Sequence, residues 1–262
     1  MKRALLTSAV ASAAVLGSVA ACDDVSGPGG EPLSLLFSVP SSGNAAAAGD
    51  VTLQTSADQI LIIRGSQRLM LNVVELRLSR IDLEPVDDLE DRDTDLDTDR
   101  GQDSDVDTDS DQRDNVRFRG PVTVRLPLQG GVIGPFRAEI PVGTYDEVKF
   151  RVETARLVGA FDENRNGTFE ASEAFDVTVP VREKFEIELD DPLVINDAAN
   201  ITIRLNPPQW FRNNDGSLFN PRRLNNDQQL RARFRQLVRA TLRAFEDANR
   251  NGNDDRDTDS DR

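Results

Sequence analysis

The chain has 262 residues, a formal net charge of −15, no histidine and one cysteine. Without histidine there is no imidazole base, no Ser-His or Cys-His pair, and no common ligand for zinc or iron. The acidic balance argues against nucleic acid, whose phosphates it would repel, and suits a soluble, cation-attracting surface.

Residues 1–21 read as a targeting segment: Lys2 and Arg3 form a basic start, and a run of apolar and small residues follows. Val19-Ala20-Ala21-Cys22 looks like a bacterial lipobox, in which the signal is cut before a cysteine that then carries lipid. The chain's one cysteine stands here, so an internal disulfide is excluded and lipidation of Cys22 is expected. Loss of Lys2 and Arg3 with the signal would take the charge from −15 to −17. Acyl chains would anchor the protein to a membrane surface, at the outer membrane or a periplasmic face, without spanning it. No later segment is long and apolar enough to cross a bilayer. Residues 22–53 are rich in Gly, Pro, Ser and Ala and read as a flexible tether, with room for one short strand at the apolar patch 33–39.

A β-sandwich domain is expected over 54–225. Residues 60–63 form a short apolar strand, Gly65-Ser66 a turn, and Val74, Leu76, Leu78, Ile81 and Leu83 the apolar face of a longer strand. The phase slips between Leu78 and Ile81, which predicts a bulge or bend. Residues 87–114 are nearly all Asp, Thr, Ser and Arg. Such a segment cannot offset its ordering entropy by burial, so it reads as a disordered acidic insertion. Its Asp-x-Asp spacing could collect calcium loosely, but a solvated loop is the simpler reading. Strands resume with Val122, Val124, Leu126 and Leu128, a Gly130-Gly131 turn, and Phe136, Ala138 and Ile140.

The stretch 138–173 organises the chain. Pro141-Val142-Gly143-Thr144-Tyr145 is a turn, and Val148, Phe150 and Val152 alternate with Lys149 and Arg151 along a strand. Residues 162–173 then carry the spacing of a calcium loop. Asp162, Asn164, Asn166, Glu170 and Glu173 hold positions 1, 3, 5, 9 and 12, Gly167 holds position 6, and the Thr168 carbonyl would fill position 7. A hard cation takes many oxygens, and Glu173 can supply two at once. Because a strand precedes the loop, the expectation is a Ca2+ site in a β-hairpin and not a helix-loop-helix hand. The plainer alternative is a polar hairpin tip that binds nothing.

Beyond the loop, Phe175 to Val181, Phe185 to Leu189 and Ile201 to Leu205 alternate at every second residue. Many short strands with no helix until the end indicate a mainly β protein, an antiparallel β-sandwich with one C-terminal amphipathic helix. The Pro141-Val142-Gly143-Thr144-Tyr145 turn and its strand resemble those of transthyretin-like and carboxypeptidase-regulatory-like sandwiches. Together with 71–83 and 122–128, the segment 138–152 resembles a family of secreted bacterial lipoproteins of unknown function built on such a sandwich. The resemblance spans about 54–206 with the acidic segment interrupting it. It implies a fold and an envelope location and brings no catalytic residues.

Trp210-Phe211 follows the last strand. An exposed pair could stack on a sugar ring, but a pair plugging the end of the sandwich is the better reading. Residues 226–246 are expected to be the helix, with Leu230, Phe234, Leu237, Val238, Leu242 and Phe245 on its apolar face and Asn226 or Asp227 as its cap. Arg231, Arg235, Arg239 and Arg243 form a basic stripe that could meet anionic lipid or the acidic insertion, and reads most simply as a solvated flank. The tail 247–262 opens with a partial second calcium loop: Asp247, Asn249, Asn251, Asn253 and Asp255, with Thr258 where the last glutamate would stand. Loss of that bidentate ligand should weaken binding.

Two functional readings follow. One is a non-catalytic, lipid-anchored envelope module stabilised by calcium, with a protein or glycan partner at the cell surface. The other is an envelope hydrolase, glycosidase-like, using paired carboxylates. The first is favoured because the acidic residues sit in polar tracts or in the loop, without the apolar surroundings that raise a catalytic pKa.

Overall fold

The computed structural model describes residues 31–40, 51–56, 59–86 and 116–254. Cys22, residues 87–114 and Asp255 lie outside them.

Among the described residues ten strands form two sheets: β1 (Glu31–Val39), β2 (Val51–Ser56), β3 (Gln59–Arg64), β4 (Gln67–Pro85), β5 (Val116–Arg125), β6 (Gly131–Ile140), β7 (Gly143–Phe161), β8 (Ala174–Ile195), β9 (Ala199–Arg204) and β10 (Arg243–Glu246). The larger sheet runs β2-β3-β4-β7-β8, with β5 also on β4, and the smaller runs β10-β9-β1-β6. All pairings are antiparallel except β1 with β9. Leu33, Leu35 and Phe37 of β1 and Ile201 and Ile203 of β9 share one core with Leu76, Leu78, Phe150, Val152, Val179 and Phe185 of the larger sheet. The expected mainly β sandwich with one helix is therefore the observed architecture.

The alternation explains why these strands form: each inward side chain is buried while its neighbours carry the polar face. The slip expected between Leu78 and Ile81 is a register shift between Leu78 and Arg80, present against both β5 and β7. The extra residue lets Ile81 and Leu83 return to the core. On the outer face, Arg156 bridges Glu75 and Asp176 across three strands.

The patch at 33–39 is more than a short strand in a tether. It lies in the middle of the smaller sheet, hydrogen-bonded on both edges, with Leu33, Leu35 and Phe37 fully buried.

The helix is shorter than its periodicity implies. It covers Gln228–Ala240, capped by the Asp227 carboxylate, which accepts the Leu230 N–H at 3.0 Å. At its end the Thr241 hydroxyl donates toward the Leu237 and Val238 carbonyls, and residues 243–246 leave as β10 beside β9. Leu242 and Phe245 are buried as expected, but from an extended chain. The spacing of three that suggested helix is overridden because the edge of β9 offers backbone partners that a continued helix would leave unused. Phe234 packs edge-on against Trp210 at 5.8 Å and docks the helix on the sandwich.

Candidate functional site: two matched acidic loops

The first loop joins β7 to β8 as a hairpin. Ala160 pairs with Ala174, and residues 162–173 bulge between them, closed by a short 3-10 turn at Ala171–Glu173. Asp162, at the end of β7, is fully buried. Its carboxylate accepts the N–H groups of Asn166 at 3.1 Å and Gly167 at 2.9 Å. Asn164 Oδ1 accepts the Asn166 N–H, and Asn166 Oδ1 accepts both the N–H and the hydroxyl of Thr168. Arg165 and Gly167 have positive φ values of 58° and 85°, which curl the chain round the Asp162 carboxylate.

Glu173 closes the loop from the other end. It is buried, and its carboxylate accepts N–H groups from Glu163 at 3.0 Å, Asn164 at 3.4 Å and Glu170 at 3.0 Å. Glu170 faces outward and accepts from the amides of Asn164 and Asn166. Two arginines brace the outside. Arg68 of β4 donates to the Gly167 carbonyl at 2.6 Å, and Arg222 donates to the carbonyls of Ser172 and Ala174, on either side of Glu173.

The second loop follows β10. Residues 162–167 read DENRNG and 247–252 read DANRNG, and the match extends to the hydrogen bonds. Asp247 is fully buried and accepts the N–H groups of Asn251 at 2.9 Å and Gly252 at 2.8 Å. Asn249 accepts from Asn251, and Asn251 from Asn253. Arg250 and Gly252 have φ values of 57° and 77°. Arg204 of β9 donates to the Gly252 carbonyl at 2.5 Å, as Arg68 does to Gly167. One difference stands out: the second Asp247 oxygen also accepts the Thr202 hydroxyl at 2.7 Å, a donor supplied by β9.

The sequence placed these residues in two loops. It did not show that the loops share one backbone form on different sheets, nor that arginines from neighbouring strands hold both. The repeated NRNG was the available signal for the first point.

Whether the residues suit a cation turns on Asp162 and Glu173. Both are buried carboxylates, and neither forms an ion pair among the described residues. A buried charge satisfied only by backbone N–H dipoles is costly unless a counter-charge joins it. The donors are hard oxygens in the order a calcium loop needs, so the loop fits the ion in donor type and burial. Among the described residues no three His, Cys, Asp or Glu side chains converge on one point. Binding would therefore turn Asn164, Asn166 and Glu170 inward from their present hydrogen bonds.

The remaining sequence candidates are settled by burial. Trp210 and Phe211 are fully buried, so they plug the sandwich, and the Trp210 indole N–H donates to Thr241. The arginine stripe is a partly solvated flank, with Arg239 and Arg243 exposed, that also makes contacts with the sandwich. Arg235 and Arg239 both reach Glu183 of β8, Arg239 also lies over the Phe185 ring, and Arg231 donates to the Leu224 and Asn225 carbonyls. No family model matches the chain, and no curated protein or solved structure shows detectable similarity to it.

Proposed function

We propose that this chain is a non-catalytic β-sandwich module of the bacterial cell envelope, anchored by lipid on Cys22 and stabilised by Ca2+ in the 162–173 loop. The observation that carries the calcium reading is the full burial of Asp162 with no ion pair among the described residues, at the first position of a complete series of oxygen-bearing residues. Asp162, Asn164, Asn166, the Thr168 carbonyl, Glu170 and Glu173 would hold the ion. Bound there, calcium supplies the positive charge that the buried carboxylates lack, and ties β7 to β8. Asp247, Asn249, Asn251, Asn253 and Asp255 would form a second, weaker site. The anchor rests on the lipobox-like Val19-Ala20-Ala21-Cys22. The resemblance to envelope lipoproteins supports the location, with a protein or glycan at the cell surface as partner.

The test is a thermal melt of the full chain in detergent, with millimolar calcium and with chelator. Extracellular calcium modules work at Kd ~10⁻⁴–10⁻³ M, and ~100-fold saturation contributes ~2.7 kcal/mol. A midpoint raised by several degrees in calcium is the expected result. An unchanged midpoint would overturn the calcium reading. Labelled palmitate entering the parent and not Cys22→Ser checks the anchor separately.

A further inference from the structure

Arg64 ends β3, and Arg212 stands at the base of a tight turn, where it bridges to Leu218 and where the Asn213 N–H donates to the Ser217 carbonyl at 2.8 Å. The Arg64 guanidinium packs against this turn at Gly216, where a Cβ would fall 2.5 Å from Nη2. Gly216 has a positive φ of 83°, which favours glycine at that position.

Among the described residues each guanidinium keeps a buried nitrogen without an acceptor. Arg64 Nη1 and Arg212 Nη2 are buried without a hydrogen-bond partner, and neither side chain forms an ion pair among the described residues. Each is half-buried. Burial, and then the charge of Arg64, push the Arg212 pKa down. Asp215 lies within electrostatic reach of Arg64, but its carboxylate accepts the N–H and hydroxyl of Ser217 and forms no ion pair with either arginine among the described residues. Arg233 adds a third cation, its Nε donating to the Arg212 carbonyl at 3.3 Å. Two desolvated like charges with unused donors, in a chain of net charge −15, are an unfavourable arrangement unless an anion completes it. The guanidinium fork matches the paired oxygens of a carboxylate, sulfate or phosphate group.

We propose that Arg64 and Arg212 form a binding site for a small oxyanion, reading it from β3 and from the 212–218 turn together. The site is separate from both acidic loops. Its occupant is a compact group of one or two negative charges, because the net charge of the chain repels a long polyanion.

The experiment compares the full chain, Arg212→Gln and Arg64→Gln in thermal melts without calcium. Sodium acetate, sodium sulfate and sodium chloride are used at equal ionic strength. In chloride, each variant should melt at or above the parent, since a repulsive charge is gone. In acetate or sulfate, the parent should gain roughly 3–6 °C over the variants at ~10-fold saturation. Sulfate stabilises proteins generally by exclusion from their surface, and that part is common to all three chains. A response to acetate alone assigns a carboxylate, and one to sulfate alone a tetrahedral oxyanion. Equal responses of parent and variants to both salts would overturn the proposal. So would variants that lose the same stability in every salt, since the arginines would then be structural. Titration calorimetry of the parent with the responding anion should show saturable heat that falls at least tenfold in affinity in Arg64→Gln.

Discussion

Asp162 and Asp247 occupy the same place in two loops that share one hydrogen-bond pattern: each follows the last residue of a strand, is fully buried, and accepts N–H groups four and five residues on. They differ in what satisfies the rest of the site. Around Asp162 the loop brings back its own Glu173, whereas Asp247 takes a hydroxyl from Thr202. The first buried carboxylate is therefore joined by a second one from its own loop, and the second is tied to β9 by a side-chain hydroxyl.

Asp162→Ala should separate the loop from the sandwich. It leaves two N–H groups without their charged acceptor, a loss of about 2–4 kcal/mol in chelator. Under the calcium reading it also removes the calcium-dependent rise in midpoint. Denaturant melts with and without calcium measure both, and a variant that keeps the full calcium shift would refute the assignment.

Thr202→Val should destabilise the protein by about 1–3 kcal/mol, because Asp247 stays buried and loses a donor. Calcium response at the first loop should remain as in the parent. Chemical denaturation followed by circular dichroism checks the first point, and the calcium melt the second.

Under the calcium reading, Arg222 would act on the site without touching the ion. Its guanidinium holds the carbonyls on both sides of Glu173, so it is a positioning residue for that carboxylate. Arg222→Ala should weaken calcium roughly 10-fold or more, the usual consequence of losing an outer support of a ligand. Arg222→Lys should recover part of it. Terbium luminescence titration reads affinity apart from stability, and an unchanged affinity would leave Arg222 as a fold contact only.

Phe234→Ala should cost about 3–5 kcal/mol, since the ring is fully buried against Trp210 and Phe211. Trp210 is the single tryptophan, so its emission reports this contact alone. A red shift at low denaturant, before the sheets unfold, is expected as the helix loosens.

The pH dependence follows from two carboxylates at the surface, Asp176 exposed and Asp227 half-buried. Arg156 holds Asp176 below its ordinary value, and the Leu230 N–H, with Arg223, does the same for Asp227. A carboxyl whose folded pKa is depressed adds stability above its unfolded value of about 4, and loses it as pH falls through the folded value. The midpoint should therefore drop as pH is lowered below about 4. Asp227→Asn should flatten part of that fall, because asparagine caps the helix without titrating.

Much of this was legible from residue order. Val148, Phe150 and Val152 marked the strand by alternation alone, and the Leu78–Ile81 slip marked the bulge. The loop at 162–173 was legible because its constraint is local: closely spaced Asp, Asn and Glu side chains and one glycine that let the chain fold back on its own N–H groups. Residues 243–246 were misread as helix because Leu242 and Phe245 fit both periods, and the choice between them lay in β9, far off in sequence. The role of β1 was understated for a similar reason. An apolar patch in a Gly- and Ala-rich segment shows that it is to be buried, not which strands will border it.

The sequence by itself determined the sandwich class, the strand faces and the two Asp-Asn-Asn loops, since each rests on spacing within about a dozen residues. The tertiary structure alone decided that β1 is central, that the helix stops at Ala240, that arginines from β4, β9 and the segment before the helix brace the loops, and that Arg64 packs against the turn that begins at Arg212. These depend on residues scores of positions apart, whose meeting is set by which faces must be buried and which backbone edges must be paired.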